Sequence, residues 1–156
     1  MKNYTCTSRL PSRQKERFKQ NKPTAAIYGD WLDKTEWSLF CTFTTRYGLT
    51  VKSARRSMER LNEFLTTQYS FKTTIFWVAE PFDTGDSYHL HALLKVVGKA
   101  TDNLIYYIKK AWQVVSKGKY GKEYHQTVLR PYEPSKGAHF YVAKYLYRPG
   151  ADYDIM

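Results

Sequence analysis

Thr73-Thr-Ile-Phe-Trp-Val-Ala-Glu80, then Pro81-Phe-Asp-Thr-Gly-Asp86, then Tyr88-His-Leu-His-Ala-Leu-Leu-Lys-Val96 are nearly continuous in the chain, and their reading decides the fold. The first run is β-branched and aromatic, which suits a pleated, packed strand. The middle run carries Pro, Gly and two Asp, the chemistry of a turn. In the third, Tyr88, Leu90, Ala92, Leu94 and Val96 alternate with His89, His91, Leu93 and Lys95, a period of two. Together they predict an antiparallel hairpin whose pairing sets residue 80 opposite residue 89.

Outward from the hairpin the pattern continues. Trp37, Leu39, Cys41 and Phe43 alternate with Ser38, Phe40, Thr42 and Thr44, a strand. Val51, Ala54, Met58, Leu61 and Leu65 recur at three and four behind Thr50, a helix with its N-cap. Arg55, Arg56 and Arg60 fall off that stripe, toward solvent or a nucleic acid. Thr101 opens a second helix with Leu104, Ile105, Ile108, Ala111, Trp112 and Val115 inward, and Lys117-Gly-Lys-Tyr-Gly121 is a basic loop. Residues 122–130 read as a further strand. A last helix runs from about Ser135 to Tyr147, stopped by Pro149-Gly150. The order β-α-β-β-α-β-α predicts an α+β fold: an antiparallel sheet with helices on one face, ferredoxin-like, of the split βαβ kind. Residues 1–30 form a basic N-terminal arm, 31–150 the folded domain and 151–156 a C-terminal tail.

The 156 residues fit one domain. Lys and Arg number 25 against 14 Asp and Glu, a net +11, and 14 of the aromatic side chains are tyrosine. Residues 1–22 hold Lys2, Arg9, Arg13, Lys15, Arg17, Lys19 and Lys22 against Glu16 alone. Excess cation with excess stacking rings suits a partner built of phosphates and bases. Cys6 and Cys41 make no disulfide framework and read as free thiols of a reducing compartment. No run approaches the ~18 apolar residues of a membrane span, and no apolar signal core follows Met1. These features place the chain in the cytoplasm.

His89-Leu90-His91 is the sharpest chemical signal. Residues i and i+2 of a strand share a face, so both imidazoles leave the sheet together. Alone, the pair also describes two surface histidines. Glu80, opposite residue 89, adds a carboxylate, although Asp83 and Asp86 in the turn compete for that role. Two nitrogens and one oxygen, with positions left open, favour Mn²⁺ or Mg²⁺ over a closed zinc site. On the last helix, Tyr141, Lys144, Tyr145 and Arg148 share one face, with His139, Val142, Ala143 and Leu146 as the buried stripe. His139 and His125 read as structural.

Phe40-Cys-Thr-Phe-Thr-Thr45, Tyr88-His-Leu-His-Ala-Leu-Leu94 and Tyr141-Val-Ala-Lys-Tyr145, in that order, resemble the three motifs of HUH endonucleases, the rolling-circle replication initiators of small circular DNA elements. The resemblance spans residues 37–148. It implies the HUH endonuclease fold for 31–150, Glu80, His89 and His91 as metal ligands, Tyr141 as nucleophile and Lys144 assisting at the phosphate. Tyr145 resembles the second tyrosine of two-tyrosine initiators. The implied activity is metal-dependent, sequence-specific nicking and rejoining of single-stranded DNA at a replication origin, through a 5′-phosphotyrosine. Thr42, Thr44, Arg55, Arg56 and Arg148 are the candidate DNA contacts. The implied setting is the host cytoplasm of a virus, phage or plasmid. No G-x-x-x-x-G-K-[ST] loop occurs in the chain, so a host helicase and polymerase would complete replication. A single-tyrosine transposase of the same superfamily and a non-catalytic single-strand binder remain alternatives.

Overall fold

The computed structural model describes residues 22–83, 86–97, 103–117 and 127–156, with side chains from residue 25 onward. The elements are α1 (Lys22–Asp33), β1 (Leu39–Phe43), α2 (Val51–Tyr69), β2 (Lys72–Pro81), β3 (Tyr88–Val97), α3 (Leu104–Val115), β4 (Val128–Pro131), a 3₁₀ turn (Pro134–Lys136), α4 (Ala138–Ala143) and β5 (Asp152–Ile155). The strands form one sheet in the order β4-β1-β3-β2-β5, with every neighbour antiparallel. This is the α+β class and the antiparallel sheet expected from the sequence.

The β2–β3 hairpin forms as the alternation predicts, from Lys72 opposite Val97 to Pro81 opposite Tyr88. Glu80 therefore stands opposite His89. Because the side-chain period is two, this register puts Ile75, Trp77, Leu90 and Ala92 on one face and Phe76, Val78, His91 and Leu93 on the other. The first face is closed by α2 and α3, where Met58, Leu61, Leu65, Ile108 and Trp112 are fully buried. Thr50 caps α2 as expected: its hydroxyl accepts from the Ser53 amide, and the Ser53 side chain answers at the Thr50 amide. Such a capping box is worth about 1 kcal/mol.

The second face corrects the expectation that helices cover one side only. Leu32 of α1 and Val142 and Ala143 of α4 bury against Phe76, Val78 and Leu93 there. Helix α1 starts inside the segment read as an arm, and Trp37 Nε1 donates to the Leu32 carbonyl at 2.7 Å, tying α1 to the entry of β1. Its close approach to α4 needs a glycine: a Cβ on Gly29 would lie 2.1 Å from the Phe140 ring.

Residues 151–156 are not a tail, since Asp152–Ile155 pair with β2 from Ala79 to Phe76. The last helix is shorter than expected. Gly137, at φ +63, separates the 3₁₀ turn from α4. After Ala143 the chain tightens, with Tyr145 and Leu146 donating three residues back to Val142 and Ala143. The strand expected over 122–130 is described only as Val128–Pro131, and residues 118–126, His125 among them, lie outside the described residues. Thr101 also lies outside them; α3 begins after Asn103, and Ile105 is exposed rather than inward. Cys41 is fully buried among the sheet residues, and Cys6 is outside the described region. Among the described residues no helix is long and apolar enough to cross a membrane.

Candidate functional site

Glu80 is the penultimate residue of β2, at the turn end of the hairpin, and it is buried. Its Oε2 lies 2.5 Å from His89 Nε2 and 2.9 Å from His91 Nε2. The ligand-capable atoms of the three residues all lie within 4.8 Å of one another. One carboxylate oxygen and two imidazole nitrogens, converging from adjacent strands on one face, suit a divalent cation, so the residues fit the metal that the resemblance implies. Asp83 and Asp86 stay out of this group.

The electrostatics agree with that reading. Burial pushes the Glu80 carboxyl up, but hydrogen bonds from His89 and His91 and the charges of the two rings overcome it and hold its pKa at about 2. Burial lowers the pKa of His91, reinforced by His89 and Lys144 and opposed by the bond to Glu80. Glu80 is thus held as a carboxylate, and burial works against the charged form of His91; both directions favour lone-pair donation to a metal. His91 Nδ1 lies 3.2 Å from Thr42 Oγ1, a partner for its second ring nitrogen. Leaving the sheet on the same face as His89 does not bring His91 to the surface. It is instead 4% exposed and sandwiched, its ring near-parallel to Phe40 (7°) and Tyr145 (10°).

The two tyrosines differ sharply. Tyr141 is 39% exposed and meets His91 edge-on at 5.2 Å. Tyr145 is 5% exposed and belongs to the second core, so the helix face of two phenols and two cations is partly a core face. Burial, then the Glu80 charge and the hydrogen bond to Tyr141, push the Tyr145 phenol far above its ordinary range. The Lys144 ammonium spans both, 3.9 Å from the Tyr141 ring centre and 4.6 Å from that of Tyr145.

The candidate DNA contacts separate. Thr42 is in the site. Thr44 lies past the end of β1; its carbonyl accepts from Trp112 Nε1 and its own hydroxyl is buried with no partner. Arg55 is engaged within the fold: it bonds Asp152 and Asp154 of β5 across the first face, because those carboxylates come within reach only when β5 joins the sheet. Arg56 is exposed on α2, across the sheet from Glu80. Arg148 turns inward, its side chain 11% exposed, onto Glu80 and Asp83. His139 is buried, with Tyr132 at 2.6 Å.

Beside Tyr141 the same face carries a cleft of about 430 Å³ lined by Phe40, Thr42, Val128, Arg130 and Lys136. Arg130 stands opposite Phe40 and Val128 opposite Thr42, so β4 extends the site's face to the sheet edge. Sequence reasoning missed Arg130 and Lys136, which carry no motif and are gathered only by the pairing of β4 with β1. It also missed Phe82, whose ring meets His89 edge-on at 4.7 Å.

Comparison with protein-family models, with curated proteins and with solved structures returned no match.

Proposed function

We propose that this protein is a metal-dependent, single-stranded DNA nickase and strand transferase of the HUH endonuclease kind, acting at a replication origin. The observation that carries the reading is the convergence of Glu80, His89 and His91 with an accessible tyrosine against the same imidazole, Tyr141 at 5.2 Å from His91. Glu80, His89 and His91 would hold Mn²⁺ or Mg²⁺, which supplies the positive charge that polarises a phosphodiester oxygen. Tyr141 gives up its phenolic proton to solvent as Oη attacks phosphorus, the bond to the 3′ oxygen breaks, and that oxygen takes a proton from solvent to become a free 3′-hydroxyl. The strand stays on the enzyme as a 5′-phosphotyrosine, from which a second 3′-hydroxyl can reseal it. Lys144 places an ammonium beside the phenol, where negative charge gathers during attack. Tyr145, buried and held as a neutral hydroxyl, supports Tyr141 rather than sharing its task.

Single-stranded substrate is favoured by the cleft beside Tyr141. Its volume falls in the ~300–1,000 Å³ range of small-ligand sites, and it offers Phe40 for stacking with Arg130 and Lys136 for phosphates. The test is incubation of the chain with labelled single-stranded origin oligonucleotides and Mn²⁺. A covalent protein–DNA adduct should form, vanish in Tyr141→Phe and in excess EDTA, and persist in Tyr145→Phe. Binding without any adduct would favour the non-catalytic binder. An adduct lost only in Tyr145→Phe would overturn the nucleophile assignment.

A further inference from the structure

Arg148 lies outside the motif residues that would hold a metal, yet it makes a largely buried contact to one of them, Glu80. Its Nη1 donates to Glu80 Oε1, and its Nη2 donates to Asp83 Oδ1 at 2.8 Å. Oε2 of the same carboxylate is the atom turned to both imidazoles. The carboxylate is therefore forked, with one oxygen spent on a guanidinium and one aimed at the metal position. Both side chains are largely out of water, Arg148 at 11% and Glu80 at 5% exposure, so neither rotates freely. Asp83, half exposed on the hairpin turn, anchors the far side of the guanidinium.

We infer that Arg148 is a positioning residue that makes Glu80 a one-oxygen ligand and thereby sets which divalent cation the site takes. The inference rests on the reading of Glu80, His89 and His91 as a cation site. With Oε1 held, the protein offers one oxygen and two nitrogens. Ca²⁺ seeks six to eight oxygens and commonly a bidentate carboxylate, whereas Mn²⁺ accepts imidazole together with a single carboxylate oxygen. The clamp thus disfavours Ca²⁺ by geometry. Its positive charge weakens every divalent cation alike, so charge alone leaves the ratio of two affinities unchanged.

The experiment measures Mn²⁺ affinity of the whole chain by loss of the free-ion paramagnetic resonance signal, and Ca²⁺ affinity by competition. Wild type should prefer Mn²⁺ strongly. Arg148→Met frees Oε1 and should narrow the Mn²⁺/Ca²⁺ affinity ratio at least tenfold. Arg148→Lys should narrow it less. Asp83→Asn, a surface change that leaves the fold intact, should shift the ratio in the same direction, and it carries the test if Arg148→Met does not fold. Equal rises in both affinities would reduce Arg148 to a charge, equal falls would reduce it to a structural prop, and either result overturns the inference. Wild type that binds no Mn²⁺ would overturn the cation site itself, a failure visible before any variant is made.

Discussion

Replacing Arg55 by methionine keeps the aliphatic length of the side chain on α2 but removes the guanidinium that bridges two carboxylates of β5. Asp152 is bonded by Nε and Nη2, at 3.1 and 2.9 Å, and Asp154 by Nη1 at 2.5 Å. The guanidinium also lies 5.3 Å from the Trp77 ring centre. Side-chain exposures of 36%, 24% and 42% put these contacts between a surface pair and a buried one, so solvent screens part of each. Two such pairs at roughly 0.5–1 kcal/mol each, with roughly 0.5 kcal/mol for the cation over the ring, make a loss of about 2 kcal/mol. At roughly 2–4 °C per kcal/mol for a domain of this size, the melting midpoint should fall by about 4–8 °C. Thermal unfolding followed by circular dichroism reads this directly, and the gap to wild type should shrink at about 0.5 M NaCl as the pairs are screened. Affinity for single-stranded DNA at low salt should barely change, because Arg55 serves the face opposite the cleft. An unchanged midpoint, or a tenfold loss of DNA affinity at unchanged stability, would refute the assignment of Arg55 to the fold.

Ser70 closes α2 in the left-handed region at φ 54, and Ser70→Gly should raise stability by about 1 kcal/mol in urea titration. His91→Ala leaves a gap between Phe40 and Tyr145 and should cost about 1–3 kcal/mol besides abolishing Mn²⁺ binding. His89→Ala, whose side chain is 21% exposed, should lose the ion with less than half of that stability cost. In a Cys6→Ser background Cys41 should resist alkylation in the native state, since burial holds its thiol protonated, and modification as fast as that of a free thiol would contradict the packing of β1.

What the residues disclosed in advance tracks how local each signal is. The hairpin, its register and the pairing of Glu80 with His89 follow from alternation and turn chemistry within one continuous stretch, Lys72 to Val97. The Thr50 cap is equally local. Helix α1 is a weak signal because, among its described apolar side chains, Leu32 is buried while Ile27 and Trp31 remain exposed. Strand β5 reads Asp-Tyr-Asp-Ile, a poor strand by composition; it is held by Arg55, almost a hundred residues earlier, which no window can see. The same distance hides the inward turn of Arg148 onto Glu80. Tyr145 looked like a surface phenol because helical periodicity places it beside Lys144, and only the sheet beneath shows that this face is covered.

The chain's final residues have a practical meaning for anyone handling this protein. Met156 donates its amide to the Ile75 carbonyl at 3.0 Å and accepts from the Ile75 amide at 2.7 Å, completing the seam along β2. Glu80 lies on the same strand, next to Ala79, which is itself opposite Asp152. A purification handle, dye or fusion partner attached directly after Met156 would load the border of the strand that presents the carboxylate. Clipping residues 151–156 would bare that border, with its unpaired amides and carbonyls, to a second chain and invite clumping. An assay on a chain shortened at residue 150 would measure a damaged scaffold rather than a missing tail.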